Sequence, residues 1–357
     1  MQKEYILNET TTRTSVNYGI NNIKLSLEIP KIDDNYEFEN MSLETEELDK
    51  INIKIDDNIG ELKNKIGISL NKYKKIEINI PDYTILKKPI ILEFEFDDDN
   101  NKLEDNIIIK AGKNSKADIF IYYSAINDNN NDVKNNFHIL KQESFLEENS
   151  LINVTVSNML NDDDYSFISF ENNLKENSKL NHTIIDLGGT NKISNYHTKL
   201  LGDCSENNIK NIYLGFKNDI IDIFYNIEAI GKKTRCDIEV EGAIKGFAKK
   251  NFKGIIDFKE NSKASKGNEN ERCLILSENA KSKSLPILLC HEEDVEGNHG
   301  VSSGKPDENK LFYLMTKGIS YNDARKLLVK ANLNRIINTI DSEELKNDIY
   351  KKIERMI

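Results

Sequence analysis

The sequence predicts a mainly β fold: a β-solenoid core, an N-terminal mixed α/β region and a small C-terminal helical domain. Three observations carry this. From about residue 105 to 300, short β-rich runs follow one another with no long helical pattern between them, as in Ile119-Phe120-Ile121-Tyr122-Tyr123 and Ile152-Asn153-Val154-Thr155-Val156. A polar turn phrase recurs through the same region. After Pro306 the apolar period changes from strand-like to helical.

Residues 1–105 read as mixed. The spacing predicts short helices over 42–50 and 59–72. Tyr73-Lys74-Lys75-Ile76-Glu77-Ile78-Asn79-Ile80 and Ile90-Ile91-Leu92-Glu93-Phe94-Glu95-Phe96 alternate with period two and predict strands. Residues 97–101 and 127–131 are polar turns. Residues 106–305 form the expected solenoid core. Its turn phrase appears as Lys113-Asn114-Ser115, Glu148-Asn149-Ser150, Glu176-Asn177-Ser178, Glu206-Asn207-Asn208, Glu260-Asn261-Ser262 and Glu278-Asn279-Ala280. Two of the gaps are about 28 to 30 residues, the length of one coil. Residues 306–357 read as helices. Leu311, Phe312, Leu314 and Met315 share a face, Gly318 ends that helix, and Ser320 caps a second. Ala324, Leu327, Leu328, Ala331, Ile336 and Ile337 give the second helix its apolar stripe, and Asp341 or Ser342 caps a third.

Composition narrows the class. With 38% hydrophobic and 31% charged residues, an elongated body with a narrow core fits better than a thick globule. A net charge of −11 disfavours nucleic acid and anionic membrane as partners. The first twenty residues lack an apolar targeting core and no run reaches a membrane span, so the expected setting is the cytoplasm. The four Cys contain no Cys-x-x-Cys pair. Cys204, Cys236 and Cys273, taken singly, read as small buried hydrophobes.

Chemistry concentrates in Cys290-His291-Glu292-Glu293-Asp294-Val295-Glu296-Gly297-Asn298-His299, which joins a thiol, two imidazoles and four carboxylates. Thiolate and imidazole together suit iron or zinc, and Glu292 or Glu296 can complete a labile site. The plain alternative is a solvated acidic loop with an incidental His. One stretch holds too few thiols for a permanent all-Cys cluster, so a transient or shared site fits better. The adjoining Gly297 to Pro306 string imitates a phosphate loop. His299 stands where its first Gly belongs and Pro306 where Ser or Thr must bind Mg²⁺, so no nucleotide is expected on this chain. No Gly-x-Ser-x-Gly or His-Glu-x-x-His motif occurs, and His138, His182 and His197 stand alone. The chain is therefore not expected to be an enzyme. Few Arg and no Trp argue against a carbohydrate-active β-helix enzyme, while a metal-free solenoid serving binding or structure remains the main alternative.

Glu293-Asp294-Val295-Glu296-Gly297-Asn298-His299-Gly300, followed by Gly304, Asp307-Glu308 and Leu311-Phe312-Tyr313-Leu314-Met315-Thr316-Lys317-Gly318-Ile319, resembles the SufB/SufD family of iron–sulfur cluster assembly scaffolds. Arg13-Thr14-Ser15-Val16-Asn17-Tyr18-Gly19 is similar to the opening of short, minimal-system members. The resemblance implies a right-handed parallel β-helix, dimerisation through it, and docking of a SufC-like ABC-type ATPase on the C-terminal helices. It implies a transient iron–sulfur cluster at the dimer interface, with His299 matching by position the His of D-type members and Cys290 in the thiol-acidic context of minimal members; with the residue chemistry above, the expected ligands are Cys290 and His299, with Glu292 as a third. Cys204, Cys236 and Cys273 remain as thiols for sulfur relay. Gly300 follows the His as in D-type members, where B-type members have Glu, and the B-type interface Cys aligns near Ala280. Two arrangements stay open: a homodimer in which Cys290 replaces that ligand, or a D-like subunit beside another SufB/SufD-type scaffold.

Overall fold

Successive strands alternate between two facing sheets, so each pair of strands makes one coil. The computed structural model describes residues 3–12, 18–33, 35–126 and 135–357. The 127–131 turn and residues 13–17 of the opening motif lie outside the described residues. The chain begins with an antiparallel pair, β1 (Lys3–Leu7) and β2 (Ile23–Leu27). There follow β3 (Met41–Glu44), β4 (Asn52–Leu62), β5 (Leu70–Ile80), β6 (Ile90–Phe96), β7 (Lys102–Ala111), β8 (Lys116–Ala125), β9 (Phe137–Leu146), β10 (Leu151–Met159), β11 (Tyr165–Leu174) and β12 (Lys179–Asp186). The later coils comprise β13 (Asn191–Leu200), β14 (Glu206–Gly215), β15 (Ile220–Ala229), β16 (Arg235–Ile244), β17 (Lys249–Phe258), β18 (Ser265–Ile275), β19 (Lys281–Cys290) and β20 (Val295–Gly304). Even strands from β6 to β20 form one nine-stranded sheet with β3 at its edge. Odd strands from β5 to β19 form the other, with β4 at its edge. Within both, neighbours are parallel except at those first edges. The result is mainly β, 53% strand and 13% helix, with a solenoid of about 8 turns.

Period-two alternation sends every second side chain inward, where the register stacks it on its counterpart one coil away. Ile119, Val154, His182, Ile209 and Ile238 form one such buried column. Each fully buried aliphatic side chain there contributes about 1.5–3 kcal/mol.

The turn phrase has a physical basis. Asn114, Asn149, Asn177 and Asn261 adopt φ of 55°, 57°, 53° and 71°, a left-handed conformation that Asn tolerates better than most residues. Behind three of them Ser115, Ser150 and Ser178 donate Oγ–H to the carbonyls of Gly112, Glu147 and Lys175 at 2.6, 2.7 and 2.7 Å. One phrase was misplaced: Glu206-Asn207-Asn208 lies inside β14, and the corner before it is Cys204, with φ 57°. Cys204 is therefore a partly exposed turn residue and not a core residue, whereas Cys236 and Cys273 are buried.

The two helices expected near the N-terminus are absent. Residues 42–50 hold β3 and a single 3-10 turn, Leu48–Lys50. Residues 59–72 cross the hairpin between β4 and β5, which pair antiparallel with Ile53 opposite Ile78 and Ile55 opposite Ile76. Local Glu, Leu and Lys content favoured helix, but pairing against the first coil overrides that propensity.

The C-terminal helices are α1 (Glu308–Thr316), α2 (Tyr321–Ile337) and α3 (Glu343–Met356). Asp307, Ser320 and Ser342 cap them by accepting backbone N–H bonds. Gly318, at φ 86°, closes α1. Ile185, Leu187, Ile212 and Leu214 on the outer face of the even sheet pack with Val329, Leu333, Ile336, Ile349 and Ile353. The α2 stripe is thus rotated from the expected one: Leu327 is 43% exposed while Val329 and Leu333 are buried. Among the described residues no helix is long and apolar enough to cross a membrane.

Candidate functional site at the open end of the solenoid

The last coil, β19 and β20, is the edge of both sheets, and among the described residues nothing pairs beyond it. β20 is exposed or half-buried along its whole length, as though half of its packing were missing. Val295–Gly304 is an extended strand, which leaves no phosphate-cradling loop in that string.

All three candidate ligands lie on this coil. The register puts His299 over Glu269, on the inward-facing set of β18 that also contains Glu271 and Cys273. Cys290, exposed at the end of β19, sits over Phe258. Glu292 lies in the turn between the strands, where its carboxylate accepts N–H bonds from Asn261 at 3.2 Å and Glu293 at 3.1 Å. Across the lumen Gly297 faces Leu288: a Cβ at Gly297 would stand 3.0 Å from Leu288 Cδ1. His299 is one inward step beyond Gly297 and away from the turn, while Cys290 is one step beyond Leu288 and toward it. Strand geometry therefore separates Cys290 from His299 by roughly 13 Å along the coil. One chain does not bring the three together, and among the described residues no group of three or more His, Cys, Asp or Glu is placed to hold a metal ion.

Sequence reading missed the polar group beneath this mouth. Glu271 accepts from Lys250 Nζ at 2.8 Å, Tyr213 O–H at 2.9 Å and Ser284 Oγ at 3.0 Å, all inside the solenoid. Glu269, two residues earlier, is fully buried with neither carboxylate oxygen hydrogen-bonded. Burial, then the neighbouring Glu271, pushes its pKa up to about 8. The signal was present in Gly267-Asn268-Glu269-Asn270-Glu271-Arg272-Cys273, where period two alone cannot say which set faces inward. Burial also raises the Cys236 and Cys273 thiols, so neither is a ready thiolate in this chain.

The other four histidines each lie against side chains of the coils. His138 Nε2 lies 3.0 Å from Asp105 Oδ1 in the core, and His197 Nε2 2.5 Å from Glu228 Oε1. His182 is buried among Phe170 and Tyr196, and desolvation pushes its pKa down to about 3. His291 Nε2 approaches Asp257 Oδ1 at 3.5 Å.

Residues 94–332 match the family model described as SUF system FeS cluster assembly, SufBD core domain. The chain is 30% identical over 165 residues to the iron-sulfur cluster assembly protein SufD of Bacillus subtilis, covering 46% of this chain and 38% of that protein. It is 26% identical over 176 residues to SufD of Escherichia coli, covering 47% of this chain and 40% of that one. With SufD of Plasmodium berghei it shares 23% identity over 361 residues, covering 98% of this chain but 25% of that protein. The matched stretches thus span 40% or less of these relatives' own lengths. The family match runs from β6 into α2, through the coils from β7 to the Cys290 and His299 strands, and the chain belongs to the SufB/SufD family of the SUF iron–sulfur cluster assembly system.

Proposed function

We propose that this chain is a non-catalytic scaffold subunit that assembles or transfers an iron–sulfur cluster between two scaffold chains, with Cys290, His299 and Glu292 contributing ligands. The observation that carries this reading is the unpaired last coil. Its donors include a soft thiol and an imidazole that suit iron, yet they are too far apart to close a site alone. A second SufB/SufD-type chain, identical or not, pairing along the free edges would bury β20 and supply the missing ligands. Anaerobic reconstitution with iron and sulfide tests it. Wild type should develop visible charge-transfer absorption, and Cys290→Ala/His299→Ala should lose more than half of it. Equal, weak absorption in both would leave the metal-free solenoid as the better account.

The same proposal gives the C-terminal helices a docking role for a separate SufC-like ABC-type ATPase. Phe312 and Tyr313 on α1 are 70% and 61% exposed, an aromatic pair turned away from the solenoid. Aromatic anchors of this kind dominate interface energies. Deleting 307–357 would uncover the sheet face buried by α2 and α3, so a surface variant is cleaner. Phe312→Ser/Tyr313→Ser should weaken capture of the ATPase at least tenfold and leave the thermal midpoint unchanged. Undiminished capture would remove α1 from the docking surface.

A further inference from the structure

A cleft of about 720 Å³ lies between residues 19–24, the turn into β2 and its first two residues, and the outer face of β17 and β19. Lys249 and Lys281 are register partners on its floor, and Lys283 is two residues further along β19 beside Asn251. Strand spacing sets the first two about 4.8 Å apart and Lys283 about 7 Å from Lys281. Lys24, Asn21 and Asn22 line the opposing wall.

Like charges at adjacent ladder positions repel, and where they adjoin elsewhere an opposite charge sits beside them: Glu143 and Glu171 share Lys141, and Lys266 beside Arg235 is held by Glu296. Lys179 faces Glu206 at 2.9 Å, Lys266 faces Glu296 at 2.8 Å, and Lys175 meets Glu147 at 2.8 Å. Among the described residues no carboxylate lies within ion-pair distance of Lys249, Lys281 or Lys283. Lys283 donates to the Tyr18 carbonyl at 2.9 Å and lies over the Tyr18 ring at 5.2 Å, contacts that hold the ammonium without neutralising it. Two acids on neighbouring elements are committed: Asp222 to Lys253, Asn8 and Asn251, and Glu4 to Lys24 at 3.8 Å. In a chain of net charge −11 with 60 acidic and 49 basic residues, these three lysines on two adjacent strands concentrate positive charge on one cleft floor, which a bound anion would neutralise.

We propose that this cleft binds a small, multiply charged phosphate anion, with Lys249, Lys281 and Lys283 as its cationic floor. Lysine is a compact point charge suited to phosphate, and three such residues with backbone positions within about 8 Å match a ligand carrying two or three negative charges better than a single carboxylate. The site is separate from the solenoid mouth and does not depend on the cluster reading.

The test is calorimetric titration of the full chain at low salt with inorganic pyrophosphate, with ADP and citrate as parallel arms. Saturable pyrophosphate binding with Kd below about 1 mM is expected. Lys249→Gln/Lys281→Gln should weaken it at least tenfold, Lys249→Arg/Lys281→Arg should retain it, and Lys175→Gln/Lys179→Gln on another coil should change nothing. ADP binding more tightly than pyrophosphate would identify a nucleoside diphosphate as the source, and the reverse a free inorganic anion. Both results support the site. No saturable binding, equal binding by the Lys249→Gln/Lys281→Gln variant, or citrate binding as tightly as pyrophosphate would overturn it.

Discussion

Replacing Lys253 with methionine should destabilise the protein by about 3–5 kcal/mol, read from the midpoint of urea unfolding. Lys253 and Asp222 form a fully buried ion pair at 2.5 Å on adjacent coils. The same ammonium donates to the Asn8 carbonyl at 2.9 Å. The Asn8 amide donates to Asp222 Oδ1 at 2.7 Å and to the Ser194 carbonyl at 3.0 Å. Asn195 completes the group by donating to Asn8 Oδ1 at 2.8 Å. Three distant stretches of sequence thus meet at one cation, and its loss leaves a carboxylate charged in a dry site and a backbone carbonyl without its donor. That imbalance, more than the attraction between the pair, sets the size of the effect. Asp222→Asn/Lys253→Met, which removes both charges, should therefore recover a large part of the loss. The N-terminal β1–β2 pair, which packs Leu7, Leu25 and Leu27 over Phe137, Phe167 and Ile193, should lose hydrogen-exchange protection before the coils do. A single-variant loss below 1 kcal/mol would mean that water already reaches the pair.

The contacts at Asn8 also show where sequence reading stops. Alternation made the coils legible, because inward and outward sets differ in polarity along most strands and the corner Asn and Ser recur. It was blind where the inward set is itself polar, as at Glu269, Glu271 and Lys250. It was equally blind to long-range partners such as Asn8 with Lys253. The corner at Lys233, φ 55°, went unread because Lys does not announce a left-handed turn as Asn does. For the candidate site, the text at 290–299 offered donors whose chemistry suits iron and placed them where the repeating strands end. It could not show that neighbours in sequence, once laid on opposite strands of a coil, are held apart.

Glu269→Gln should stabilise the protein at pH 8.5 by about 3–5 kcal/mol and have little effect at pH 5. The wild-type carboxyl has neither oxygen hydrogen-bonded and no room to turn away, since a Cβ at Gly254 would lie 1.9 Å from its Oε1. The nearby cation, Lys250, is already engaged by Glu271. Burial therefore holds the group protonated, its pKa raised from 4.5 to about 8. With the folded pKa above the unfolded one, the native state binds the extra proton between these values. Stability is then full below about pH 4.5 and falls as pH rises through about 8. Glutamine cannot ionise, so the variant should lose this slope while wild type keeps it; identical slopes from pH 5 to 8.5 would place the charge in water after all. The position gives the cost its interest. Glu269 lies directly beneath His299, at the mouth where the solenoid ends unpaired. An apolar residue would fill the site more stably, so the strain is concentrated next to the surface proposed to receive a second chain. If pairing there dries the mouth further, dimer formation should also weaken as pH rises through 8 in wild type and become independent of pH in the Gln variant, measurable by sedimentation at matched concentrations.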